Sequence, residues 1–140
     1  MAEMDKYGTV GEVLEDLHEV STFNHLVRRS GLIVTLDGEG PFTVFAPTNA
    51  AFDRLPERAI GAVVNEPGRL EQVMAYHVAT GRYLADDLGD GAELPTLSGL
   101  TLSVILAEPG PWVGGSRVVR KDIGADNGVV HLVDAVMFPS

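Results

Sequence analysis

The stretch from Gly40 to Leu55, G-P-F-T-V-F-A-P-T-N-A-A-F-D-R-L, constrains this chain most. Phe42 to Phe45 reads as a strand with apolar residues on both faces, apart from Thr43. Pro47-Thr48-Asn49 turns it into a helix start, where Thr48 or Asn49 can cap the helix that carries Phe52 and Leu55. No residue in the stretch suggests a nucleophile, a metal ligand set or a phosphate cradle. Packing and capping residues of this kind shift the question from which reaction to which surface.

Local signals extend the reading to both sides. Thr9 and Glu12 have the spacing of a capping box, followed by Val10, Val13, Leu14 and Leu17 at helical intervals. Ser21 opens a second helix with Phe23, Leu26 and Val27 inward, and Gly31 is placed to end it. Leu32 to Leu36 is a short apolar segment. Pro56 suits the first turn of a further helix with Ile60, Val63 and Val64 inward, which Asn65-Glu66-Pro67-Gly68 breaks. Leu70, Val73, Met74 and His77 form the next helical stripe, and Tyr83 to Leu88 one more turn.

Beyond residue 90 the period changes. Leu100, Leu102, Val104 and Leu106 alternate with Thr101 and Ser103, as a strand does. Ser116 to Val119 reads as a short strand. Asn127-Gly128 is a tight-turn signal, and Val129 to Phe138, apolar on both faces, reads as a buried central strand stopped by Pro139. Helices first and strands after argue for the α+β class. With 140 residues and no linker, the chain reads as one domain, 1–140.

Composition removes several functions. Twenty acidic against 10 basic residues give a net charge of −10, which disfavours nucleic acid and anionic membrane surfaces as partners. With no cysteine, a disulfide scaffold and a thiolate metal site are excluded. No run is long enough to cross a membrane as a helix, so direct insertion is not expected. Met1 to Lys6 lacks the basic and apolar regions of a signal peptide. That leaves two readings open, a cytoplasmic protein or a mature form restarted with Met.

The residue types that carry chemistry do not assemble into a recognised motif. His18-Glu19 is not continued as a zinc-protease helix motif. His77 lies on an apolar stripe and His131 in the buried strand, where a hydrogen-bonded, structural histidine is the expectation. Asp134 falls on the opposite face from His131, so the two are not a dyad; it is expected to accept from backbone amides or from Arg117 or Arg120. The acidic segment from Asp86 to Glu93 lacks the donors a calcium loop needs at its third and twelfth positions. Gly38-Glu-Gly40 and Gly114-Gly115-Ser116 match neither a phosphate loop nor a nucleophile elbow. The expectation is therefore no catalytic residue, no cofactor and no metal. Trp112, between Pro109-Gly-Pro111 and Gly114-Gly115, is expected on a loop. There it is either an anchor for a partner or a sugar ring, or a lid over the edge of the strands.

Two blocks carry a family resemblance: Phe42-Thr-Val-Phe-Ala-Pro-Thr-Asn-Ala-Ala-Phe52 and Asn127-Gly-Val-Val-His-Leu-Val-Asp134. Between them lie Tyr76-His77-Val78, Gly81-x-Tyr83, Asp87-Leu88 and Leu97-x-Gly99-x-x-Leu102 in matching order. From about Tyr7 to Pro139 the chain resembles a fasciclin domain of the small single-domain microbial type. The resemblance implies a wedge-like β-sandwich capped by several short α-helices. It implies a non-catalytic adhesion or interaction module, monomeric, in an extracellular, periplasmic or cell-surface setting, with a protein or polysaccharide partner. A small-ligand or polysaccharide-binding domain using exposed loops is the alternative. The resemblance also carries over two contact elements, Tyr76-His77 and Asp122-Ile123. Gly124 follows the second where one known version has a large apolar residue. With Trp112, these are the candidate partner contacts.

Overall fold

The computed structural model describes residues 8–108 and 110–138. The expected limits at Tyr7 and Pro139, and Pro109, lie outside the described residues. Among the described residues six α-helices come mostly first: α1 Val10–Asp16, α2 Ser21–Ser30, α3 Ile33–Leu36, α4 Asn49–Asp53, α5 Glu57–Val64 and α6 Pro67–Tyr76. One strand, β1 Phe42–Pro47, is set among them. Then follow β2 Val78–Thr80, β3 Glu93–Pro95, β4 Thr101–Ala107, β5 Gly110–Val113, β6 Ser116–Ala125 and β7 Gly128–Val133. Single 3-10 turns sit at His18–Val20 and Ala85–Asp87.

The local signals act as expected at the helix ends. Thr9 and Glu12 close a reciprocal capping box on α1. Gly31 ends α2 in the left-handed region, at φ 86°. Of the two candidate caps on α4, Thr48 takes the role by accepting from the Ala51 amide. Asn49 instead binds α2: its Oδ1 accepts from the Thr22 amide and its Nδ2 donates to the His18 carbonyl. Pro56 stands one residue before α5 as its N-cap, and Pro67 opens α6.

The strands form one seven-stranded sheet in the order β2-β1-β7-β6-β5-β4-β3. Only β1 and β7 run parallel; the other pairings are antiparallel. The sheet curls until its ends meet. A bridge joins Ala79 to Thr96, and the Leu97 amide donates to the Val78 carbonyl at 3.0 Å. The α+β class expected from the order of elements is found, with a nearly closed single sheet beside the helices.

Curling creates two cores, and β1 serves both. Its Phe42, Val44 and Ala46 join Val130, Leu132 and the inward faces of the helices. Its Phe45 points the other way, into a cluster with Leu94, Leu102, Val104, Val113 and Val133 inside the curl. This is the alternation expected of a strand, with both faces covered. The helix-side cluster takes no residue from β3, β4 or β5. That part of the outer sheet face is left open.

Three expectations need correcting. Trp112 is not on a loop: it lies in β5, paired with Ile105 of β4 and Arg117 of β6. The strand from Ser116 is ten residues long, because a bulge lets it continue past Arg120. The last strand ends at Val133 and not at Phe138. There the Asp134 amide turns to the Arg117 carbonyl at 3.0 Å, and its carboxylate accepts from the Arg117 amide at 2.8 Å.

The turn at Asn127-Gly128 fastens the two layers. Asn127 Nδ2 donates to the carbonyls of Leu36 and Gly38, each at 2.7 Å, and its Oδ1 accepts from the first helical amide, Val10, at 2.8 Å. Gly128 passes so close to the Phe42 backbone that a Cβ there would overlap the Phe42 carbonyl oxygen.

Candidate interaction surface

Tyr76 and His77 stand where α6 gives way to β2. Tyr76 ends the helix, is half-buried, and directs its hydroxyl to the Thr101 carbonyl at 3.4 Å. His77 is fully buried, packed edgewise on Phe23 at a centroid distance of 5.6 Å. Its Nδ1 lies 2.8 Å from the Val73 carbonyl, and its Nε2 accepts from the Met137 amide at 2.9 Å. Since Nε2 accepts, Nδ1 holds the proton and donates; the ring is neutral. Burial pushes its pKa down to about 4, against the opposing pull of the Val73 carbonyl. In this arrangement His77 offers no polar atom to a partner.

Asp122 and Ile123 lie on the β6 bulge. Arg120 pairs with Leu132 and Ile123 with Val130, so Lys121 and Asp122 stand together opposite His131. Asp122 is the one non-glycine residue with positive φ among the described residues, at 60°. Its carboxylate is 38% exposed and accepts from the Ala85 amide at 2.8 Å. Its amide donates to Nδ1 of His131 at 3.1 Å. Nε2 of His131 therefore carries the proton and donates to the Tyr83 carbonyl at 2.7 Å. The ring is buried and stacked on Phe45, with centroids 5.4 Å apart. Burial lowers its pKa; the bond to Tyr83 and the Asp122 carboxylate oppose this, and Lys121 adds to it. Ile123 is half-buried against the helix-side core. No sequence pattern signals the link between Asp122 and His131, since it depends on the register shift of β6.

Trp112 has a different setting. Partners opposite one another in a ladder project to the same face. Ile105, Trp112 and Arg117 thus form a row across β4, β5 and β6 on the face left open by the helices. Trp112 is half-buried, while Ile105 is 58% exposed and Val119, at the register shift two residues beyond Arg117, is 44% exposed. Arg117 places Nε 3.8 Å from the Asp134 carboxylate, an ion pair without a hydrogen bond. Arg120, next along β6, pairs with Glu19 at 2.7 Å.

A family model described as Fasciclin domain matches residues 18–139. The chain belongs to the fasciclin domain family. Protein sll1483 of Synechocystis sp. is 34% identical over 140 residues, covering 99% of this chain and 77% of its own. The cell surface glycolipoprotein MPB83 of Mycobacterium bovis is 37% identical over 108 residues, covering 77% of this chain and 48% of its own. Of a long animal relative, human periostin, this fasciclin domain spans 16%. A solved pair of domains from the insect cell adhesion molecule Fasciclin I overlays on it with a TM-score of 0.73. That overlay covers 95% of this chain and 51% of the other at 20% identity, and it bears on the fold alone.

Against that frame the candidate contacts separate. His77 is a core residue, Asp122 an exposed residue braced by a buried histidine, and Trp112 part of an open sheet face. An open groove of about 400 Å³ between α3, α6 and the turn after β3 is lined by Leu32, Thr35, Glu71, Gln72, Leu97 and Ser98, and by none of the five candidates. Among the described residues no three histidine, aspartate or glutamate side chains converge as a metal site. No described helix is long and apolar enough to cross a membrane.

Proposed function

We propose that this fasciclin domain is a non-catalytic adhesion or interaction module, acting at the cell surface or in its matrix. We infer that it meets a protein partner through the open face of β4, β5 and β6. One observation carries this: the row Ile105–Trp112–Arg117, with Val119 beside it, is apolar at its centre and uncovered. An aromatic residue flanked by aliphatic side chains and an arginine is the usual composition of an interface centre. The relative named as a cell surface glycolipoprotein supports the setting. The two buried histidines, His77 and His131, have both ring nitrogens occupied by backbone groups. Lys121-Asp122-Ile123 lies further along β6 and is included in the same proposed contact.

The test is binding of the purified chain to cell-surface and matrix fractions, beside a variant with both Ile105→Asp and Val119→Asp. Both positions are exposed, so the variant should fold. Loss of binding in the variant is expected. Equal binding, or turnover of a defined substrate by the wild type, sinks the proposal.

Trp112 itself favours a second reading, a polysaccharide platform. An indole on a flat sheet can stack a sugar ring. Titrating glycans while following the fluorescence of this single tryptophan separates the two readings. A response abolished by Trp112→Ala would favour the platform, and no response across the panel would remove it.

A further inference from the structure

His131 and Asp122 face one another across the hairpin in an arrangement that suits only one protonation state. Nε2–H of His131 is committed to the Tyr83 carbonyl, and Nδ1 has a lone pair that receives the Asp122 amide. A second proton on Nδ1 would point an N–H at the Asp122 N–H across 3.1 Å, donor against donor. The nearest anionic acceptor for it is Oδ1 of Asp122, 3.9 Å away. That oxygen is held by the Ala85 amide at the start of the 3-10 turn Ala85–Asp87.

We propose that protonation of His131 operates the β6 bulge as a two-position switch, drawing the Asp122 carboxylate from the Ala85 amide to the histidine ring. The backbone is placed to respond. Asp122 has φ 60°, a region that L-residues leave readily when the contacts holding them are lost. The register shifts on both sides of Arg120 show that the ladder is already interrupted there. The groups facing the ring are few. From β6 come the Asp122 carboxylate, which favours the proton, and the Lys121 ammonium, which opposes it. From β1 comes the Phe45 ring, and from the loop after β2 the Tyr83 carbonyl. Burial works against the charged ring, so the transition belongs on the acid side of an exposed histidine. The switch would change the exposed shape of Lys121-Asp122-Ile123 and release the Ala85–Asp87 turn together.

The experiment follows the full chain by ¹⁵N NMR from about pH 7.5 to about pH 4.5, a range that spans imidazole titration. It reads the His131 ring nitrogens and the amides of Asp122, Ile123 and Ala85. All are expected to shift at one shared midpoint below that of a free imidazole, with the rest of the spectrum still folded. Asp122→Asn tolerates the left-handed backbone but has no carboxylate. In it the His131 midpoint should fall by about half a unit or more, since the attracting charge is gone. The proposal is overturned if the ring titrates while the Ala85 amide stays still. It is equally overturned if nothing moves before global unfolding, or if Asp122→Asn leaves the midpoint unchanged.

Discussion

The Met137 amide donates to Nε2 of His77 at 2.9 Å, so one buried imidazole ties the end of the chain to the end of α6. The other nitrogen is satisfied within the helix by the Val73 carbonyl. Such a ring is stable only while neutral, because a protonated Nε2 could not accept from Met137.

Stability should therefore depend on pH in a stated window. The folded pKa of His77, about 4, lies below the unfolded value of 6.5. The unfolded chain takes up the proton first, so the contribution is intact above pH 6.5 and declines as pH falls toward 4. A shift of that size is worth about 3 kcal/mol over the window. Urea unfolding at a series of pH values measures it. His77→Gln should be less stable at neutral pH and should lose much of this slope. An unchanged slope would mean that His77 titrates in the folded state as freely as in the unfolded one.

Asn127→Ala should cost more than an ordinary turn substitution. It removes three hydrogen bonds and leaves the carbonyls of Leu36 and Gly38 and the Val10 amide without their partner. A loss of about 3 kcal/mol is expected, or roughly 10 °C in Tm for a domain of this size. Calorimetry checks it. A loss within the error of a surface substitution would show that water replaces all three bonds.

Gly128→Ala tests the approach of β7 to β1. The added methyl meets the Phe42 backbone, which cannot rotate away as a side chain could. The expected cost is about 3 kcal/mol, by analogy with overpacked cores. Ala substituted at Gly115 meets no neighbouring atom, but its φ of 86° still brings backbone strain of about 1 kcal/mol. Comparing the two by thermal unfolding separates crowding from conformation. Equal losses would refute the close approach.

The parts of the fold that could be read from the sequence are those whose cause is local. The Thr9–Glu12 box, the Gly31 terminus and the two-faced apolar strands β1 and β7 each declare themselves within a few residues. The family resemblance rests on those same stretches. β5 was hidden because Trp112 stands among glycines and prolines, which signal turns; its strand character comes from the register with Ile105 and Arg117. The second half of β6 was hidden because its bulge breaks the alternation at Lys121-Asp122.

The candidate contacts divide in the same way. Tyr76-His77 was visible as a pair, but the burial of His77 depends on Met137, sixty residues later. Asp134 lies just past the end of β7, and its carboxylate accepts from the Arg117 amide, one of the donors expected of it. The bond from Asp122 to His131 exists only because an extra residue shifts the register, and no periodic reading contains it. The open face of β4 to β6 could not be seen either. It is defined by where the helices do not pack.

That face is the centre of the functional account, and the footprint of a bound partner tests it most directly. Cross-saturation from the partner to methyl groups and indole protons of the labelled chain reports which side chains it touches. Ile105, Val119 and the Trp112 ring should lose intensity on binding, while Val34, on α3 and 77% exposed, should keep it. Attenuation at Val34 with Ile105 and Val119 untouched would contradict the account.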